Sequence, residues 1–189
     1  MFAYCGNNPV IFADITGYGK TYVFVYSTGN DFIDQAEDSP YFDTEDPDVI
    51  IIKVSTATDF VGAWNSMDED IDNIYIYAHG GTGTLYFSES QISNDSDITF
   101  ASLEEVDVSG ITYLFSCHGG DGEEGNNVAW ELAKLTNSSV RACTGSVSYS
   151  KIFGHYYARK AFDWGIWKYF YYSKKWILWG EEVARSSLY

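Results

Sequence analysis

At 189 residues the chain is long enough for one domain with a packed core, and its 46% hydrophobic content excludes a disordered polypeptide. A formal net charge of -16 argues against the basic footprint that nucleic acid requires and against an anionic membrane surface. It favours a basic partner or substrate instead.

Residues 1–74 carry fourteen acidic and two basic side chains, whereas residues 151–189 hold seven of the eleven basic ones. Three cysteines, Cys5, Cys117 and Cys143, form no disulfide framework and leave at least one thiol free. The first residues lack the basic region and apolar core of a signal peptide, and the stretch Phe162–Trp179 is broken by Lys168, Lys174 and Lys175.

Along the chain, residues 1–19 hold turn signals at Asn7-Asn8-Pro9 and Thr16-Gly17 and read as a tether. Tyr4, Gly6, Asn7, Asn8, Pro9, Asp14 and Gly17 resemble the boundary motif that closes the core domain of RHS/YD-repeat proteins, with Ile15 in place of the usual proline. That resemblance implies a variable C-terminal module, often a toxin, carried by a larger bacterial surface or effector protein. Residues 20–189 then read as one domain. Thr21–Ser27 is a β-branched and aromatic strand. An acidic loop with a short helix near Phe32–Glu37 follows. Val49–Val54 is a strand apolar enough for burial on both faces. Thr56 caps a helix with Asp59 in its first turn, and Phe60, Ala63, Trp64 and Met67 form its buried stripe.

The strand Asn73–Ala78 ends at His79, and Gly80, Gly81 and Gly83 read as a flexible rim. Thr84–Ser88 is a small strand or hairpin arm, and Ser102-Leu-Glu-Glu105 has the pattern of a capped short helix. The strand Ile111–Ser116 ends at Cys117. A loose glycine loop leads to a helix capped by Asn126 and closed at Asn137-Ser138, and Ser139–Cys143 is the next strand. Strand and helix alternate as in a mainly parallel sheet covered on both faces. Beyond residue 150 the chain is dense in aromatics. Phe153–Phe162 reads as helical, and Trp167–Tyr172 with Trp176–Trp179 as a hairpin, all covering the core.

Chemistry concentrates at two strand ends. A thiolate is a strong nucleophile that needs a neighbouring base, and His79 is the obvious one for Cys117. Glycines after both residues admit a peptide backbone closely and leave backbone N–H groups for an oxyanion. Two other readings stand beside this one. Cys117 is a small buried hydrophobe with His79 on the rim, or His79, Cys117, His118 and Cys143 form a zinc set, for which no Cys-x-x-Cys or His-x-x-x-His spacing exists. His155 and Cys143 read as structural.

An apolar block ending in His79-Gly80 and a second ending in Cys117 resemble the caspase-like cysteine peptidase clan of gingipains, clostripain, legumain and toxin self-processing domains. The separation of 38 residues is shorter than the roughly 50 of caspases. Residues 71–147 also resemble a bacterial caspase-like domain of large surface proteins, with Ala78 where serine is usual and Ser116 where glycine is. The resemblance implies a three-layer α/β/α sandwich with an aromatic-rich C-terminal extension. It implies His79 as general base, Cys117 as nucleophile, and Gly80 and Cys117 N–H groups as the oxyanion hole. No metal or cofactor is implied, although some relatives need calcium to assemble their loops. The implied partner is a protein or peptide substrate. Asp121, Glu123 and Glu124 lie just past Cys117, and carboxylates in a pocket would favour Lys or Arg before the scissile bond. The alternative function is a non-catalytic protein-binding domain on the same fold.

Overall fold

A computed structural model of the chain describes residues 19–27, 31–68, 70–88, 90–160, 165–171 and 185–187. The expected tether, apart from Gly19, and the expected arm at Trp176–Trp179 lie outside the described residues. The most apolar runs make the centre of the fold. In chain order the first elements are β1 (Lys20–Tyr26), α1 (Asp31–Glu37), β2 (Val49–Val54), α2 (Ala57–Trp64) and β3 (Ile71–Tyr77). The excursion β4 (His79–Gly81), β5 (Thr84–Phe87) and β6 (Ser90–Ile92) comes next. It is followed by β7 (Ile111–Phe115), α3 (Val128–Thr136) and β8 (Ser139–Cys143). The chain then runs through β9 (Val147–Ile152), β10 (His155–Lys160), β11 (Trp167–Tyr171) and β12 (Arg185–Ser187).

Seven strands form one sheet in the order β12-β11-β8-β7-β3-β1-β2. Strands β2, β1, β3, β7 and β8 run parallel, and β11 and β12 add an antiparallel edge. Paired residues on parallel neighbours face the same way, so register sorts the side chains into two faces. On one face Phe24 packs against Phe60 and Trp64 of α2, and Phe170 packs against Trp130 of α3. On the other, Tyr75 stacks on Tyr113 at 4.7 Å and Tyr77 meets Phe115 at 4.8 Å. Tyr41, Phe42 and Tyr149 lie over this aromatic face. They come from the segment after α1 and from the β9–β10 hairpin. The fold is therefore mixed α/β with both sheet faces covered. One cover is helical, and the other combines α1, a loop and a hairpin. The covers alternate with the direction in which the chain steps across the sheet, as a single crossover hand requires.

Local chemistry explains most elements. Thr56 Oγ1 accepts from the Asp59 N–H at 3.1 Å while the Asp59 carboxylate accepts from the Thr56 N–H, a complete capping box for α2. The cap of α3 is Asn127 rather than Asn126. Asn127 is buried, and its Oδ1 accepts from the Trp130 N–H at 3.2 Å. Asn137 ends α3 in the left-handed region, where asparagine is well tolerated.

Three other expectations are corrected. The capping pattern at Ser102 yields only a 3₁₀ turn over Phe100–Ser102, because Leu103 is extended and buried in the core. The expected helix over 153–162 is a strand over His155–Lys160, paired with β9 through a two-residue turn. Phe153 and Gly154 both have positive φ there, 50° and 91°, which a type I′ hairpin turn requires. Finally, the strand expected as one arm of a hairpin, β11, pairs with β8 and β12 inside the main sheet, where Phe170 is buried.

Candidate functional site

Strands β3 and β7 are parallel neighbours, with Tyr77 opposite Phe115. Residues just beyond their carboxyl ends therefore emerge side by side, where open α/β sheets place their chemistry. His79 and Cys117 are those residues.

The expected flexible rim after β3 is an ordered strand. β4 pairs antiparallel with β5, placing His79 opposite Tyr86 and Gly80 opposite Leu85. Among the described residues the exposed imidazole is flanked by two rings and by no carboxylate. Phe32 meets it edge to face at 4.8 Å and Tyr26 at 5.6 Å. Phe32 comes from the start of α1, so the first crossover also shapes the site.

Cys117 sits on a turn that is tied down on three sides. His118 adopts φ 57°, in the left-handed region, and its N–H donates to the Gly145 carbonyl at 2.8 Å. The Gly120 N–H donates to Cys143 O at 2.9 Å, and the Ala129 N–H donates to Gly119 O at 3.0 Å. The loop expected to be loose is thus pinned to β8 and to the start of α3. Cys117 is partly buried, and its Sγ accepts from the Val147 N–H at 3.3 Å. Such a donor interaction strengthens when the sulfur carries charge. The Cys117 backbone N–H donates no hydrogen bond among the described residues.

The two arms touch through backbone. A Cβ at Gly80 would lie 2.5 Å from Ser116 Oγ and 2.7 Å from the Cys117 carbonyl, so only glycine fits between the histidine and cysteine arms. The hydroxyl of Ser116 is buried there without a hydrogen-bond partner among the described residues.

His79 and Cys117 line one cavity of about 380 Å³. They share its wall without a hydrogen bond between them. The other walls come from Phe32 and Gln35 of α1, Ala78, Phe115, and Val147 and Tyr149 of β9. Tyr149 donates to the Phe115 carbonyl at 3.3 Å, and burial pushes its phenol pKa well above the ordinary value, with the nearby Tyr77 and Cys117 adding to the shift. Tyr77 is likewise raised, by burial above all.

The three acids expected to line a substrate pocket are placed elsewhere. Asp121 Oδ2 is 2.6 Å from His118 Nδ1, Glu124 pairs with Lys134, Glu123 is exposed, and none of them lines the cavity. Cys143 is fully buried and His155 is exposed on β10. Among the described residues no group of three or more His, Cys, Asp or Glu side chains is close enough to hold a metal ion, and no helix is long and apolar enough to cross a membrane.

Sequence reading missed the far wall. Gln35 lies in a helix expected from the sequence but carries no motif. Tyr149 follows Gly145, whose turn signal marked the end of β8 and nothing about the hairpin beyond.

A family model described as a domain of unknown function (DUF4347) matches residues 43–154, more than half of the chain, and the match includes both His79 and Cys117. No curated protein matches the chain, and no solved structure does.

Proposed function

We propose that this chain, which belongs to the DUF4347 family, is a cysteine endopeptidase working through a His79–Cys117 dyad on a caspase-like fold. The observation that carries the reading is the position of both side chains on one cavity, at the carboxyl ends of two parallel neighbouring strands. In the proposed reaction His79 takes the thiol proton of Cys117, and Sγ attacks the substrate carbonyl carbon. The tetrahedral oxyanion is held by the N–H groups of Gly80 and Cys117, the second of which donates to no partner among the described residues. Collapse breaks the C–N bond, His79 returns its proton to the leaving amine, and a thioester remains on Cys117. Water activated by His79 then hydrolyses the thioester and restores the thiol.

Ring packing from Phe32 and Tyr26 does for His79 what an orienting carboxylate does in other sites. The resting separation of base and thiol suits a site that tightens when substrate binds. We further propose that the domain acts as a tail module of an RHS-type carrier, in the manner of a toxin or self-processing unit.

One observation favours a second reading, a protein-binding domain without catalysis. The Cys117 sulfur is engaged by the Val147 N–H and not by His79. A mixed fluorogenic peptide library, with and without calcium, separates the two. The endopeptidase reading expects cleavage by wild type, none by C117A, and a fall of about 10²–10⁴-fold in H79A. Absence of cleavage by wild type in both conditions would favour the binding domain.

A further inference from the structure

We infer that the cavity beside Cys117 is a subsite for an uncharged substrate side chain, apolar in bulk and tipped with an N–H donor as in glutamine, and that Gln35 is the residue that reads it. The inference rests on the endopeptidase reading and names the substrate class of that same site.

Three observations carry it. Phe32, Phe115, Val147 and Tyr149 give the cavity a mainly apolar wall, and the Tyr149 hydroxyl already gives its one proton to the Phe115 carbonyl. No Lys, Arg, Asp or Glu is among the described residues that line it. A charged side chain of either sign entering there would shed its water without a counter-charge, which is costly. The nearest acids of the Cys117 loop do not change this, since Asp121 is paired with His118 and Glu124 with Lys134.

The third observation is Gln35 itself. It lines the cavity, and its Oε1 is buried without a hydrogen-bond partner among the described residues. A buried carbonyl oxygen left unmet is unusual and unfavourable. The terminal torsion of glutamine is soft, so its amide turns at little cost to meet a donor brought in by an occupant. A substrate amide would offer its N–H₂ to Oε1 while its methylenes lie against the rings. The cavity volume is at the small end of the range of ligand pockets, which suits one side chain rather than an extended ligand.

The test uses four peptides that differ only before the scissile bond, with Gln, Leu, Lys or Asp there, on wild type, Q35L and Q35E. Wild type is expected to cleave the Gln peptide best and the Leu peptide next, with the Lys and Asp peptides about 100-fold slower or worse. Q35L should lower the ratio of Gln-peptide to Leu-peptide cleavage about tenfold. Q35E should raise the Lys peptide above the Gln peptide. Faster cleavage of the Lys or Asp peptide by wild type, or an equal loss on all four in Q35L, would overturn the subsite while leaving the endopeptidase reading intact.

A second measurement needs no turnover. The Gln35 side-chain amide signals of ¹⁵N-labelled C117A are followed while N-acetyl amides of glutamine, lysine and aspartate are added. Shifts with the glutamine compound alone support the subsite even where no peptide is cleaved, an outcome that would count against the peptidase. No shift with any compound and no cleavage would overturn both.

Discussion

The two faces of the sheet are built from different material, and only one of them carries the site. On the first face, α2 and α3 present Phe60, Trp64, Ala129, Leu132 and Ala133, all buried, to Phe24, Ile74, Ile76 and Leu114 of the strands. On the second, rings from β3 and β7 stack on rings from a loop and a hairpin, and the cover ends at a cavity that holds His79 and Cys117. The helical layer buries Phe60 and Trp64 fully against its face. The layer of loop, short helix and hairpin leaves a cavity of about 380 Å³ at its end. The difference also appears in the polar groups. Tyr75 and Tyr77 on the second face reach Tyr41 O and Ser39 Oγ, whereas Thr112 on the first keeps a buried hydroxyl without a hydrogen-bond partner among the described residues.

The sharpest way to break this division is to damage the helical face. Phe60→Ala removes a fully buried ring and is expected to cost about 3–5 kcal/mol in urea unfolding. Cleavage per folded molecule should stay within a few-fold of wild type. A large loss of activity at constant folded fraction would show that the helical face also shapes the site.

The next effect is at the contact between the two arms. Gly80→Ala drives a methyl group into Ser116 and the Cys117 carbonyl and is expected to cost about 1–3 kcal/mol. Cleavage should fall about 10²-fold, because His79 and Cys117 are pushed apart. Stability and activity near wild type would mean that the arms yield more freely than their packing indicates.

Alkali should weaken the fold through its buried phenols. The phenols of Tyr77 and Tyr149 titrate above the ordinary value in the folded chain, because burial disfavours the phenolate. The unfolded chain releases these protons from about pH 10 upward while the folded chain keeps them. Their stabilisation is therefore complete below that pH and is lost as pH rises through it. Unfolding curves at about pH 8 to 11 should show the decline, and Tyr149→Phe should flatten it at a cost of about 1 kcal/mol at neutral pH for its hydrogen bond. An unchanged slope in Tyr149→Phe would place the titration elsewhere.

The smallest effect concerns the hairpin tip. Phe153 is 98% exposed and holds a left-handed conformation that suits asparagine better. Phe153→Asn should stabilise the chain by about 1 kcal/mol in thermal unfolding. A loss of stability would mean that the ring packs against something beyond the described residues.

The helical face was legible in the sequence because its signals are local and periodic. Thr56 with Asp59 announced α2, and the spacing of Val128, Leu132 and Leu135 announced α3. The strand ends were legible as well, since an apolar run closed by His79-Gly80 or by Cys117 marks where a buried strand surfaces. The second face was harder to read. An aromatic run such as Tyr156-Tyr157 satisfies strand and helix patterns equally, and pairing with β9 decides between them. Asp121 stood out by proximity to Cys117 in sequence, yet the left-handed turn at His118 directs it to the His118 ring. Gln35 lies 82 residues before Cys117 and had no local signal at all. Only the crossover that returns α1 over the sheet brings it to the site.

The most direct test of the central claim, that His79 and Cys117 act as one unit, is the rate of iodoacetamide labelling mapped to each cysteine at neutral pH. The account predicts that Cys117 in the native chain reacts faster than in the urea-unfolded chain, and that H79A slows it about tenfold or more. It also predicts that buried Cys143 stays unlabelled until unfolding. Slower labelling of native than of unfolded Cys117, with no effect of H79A, would contradict it.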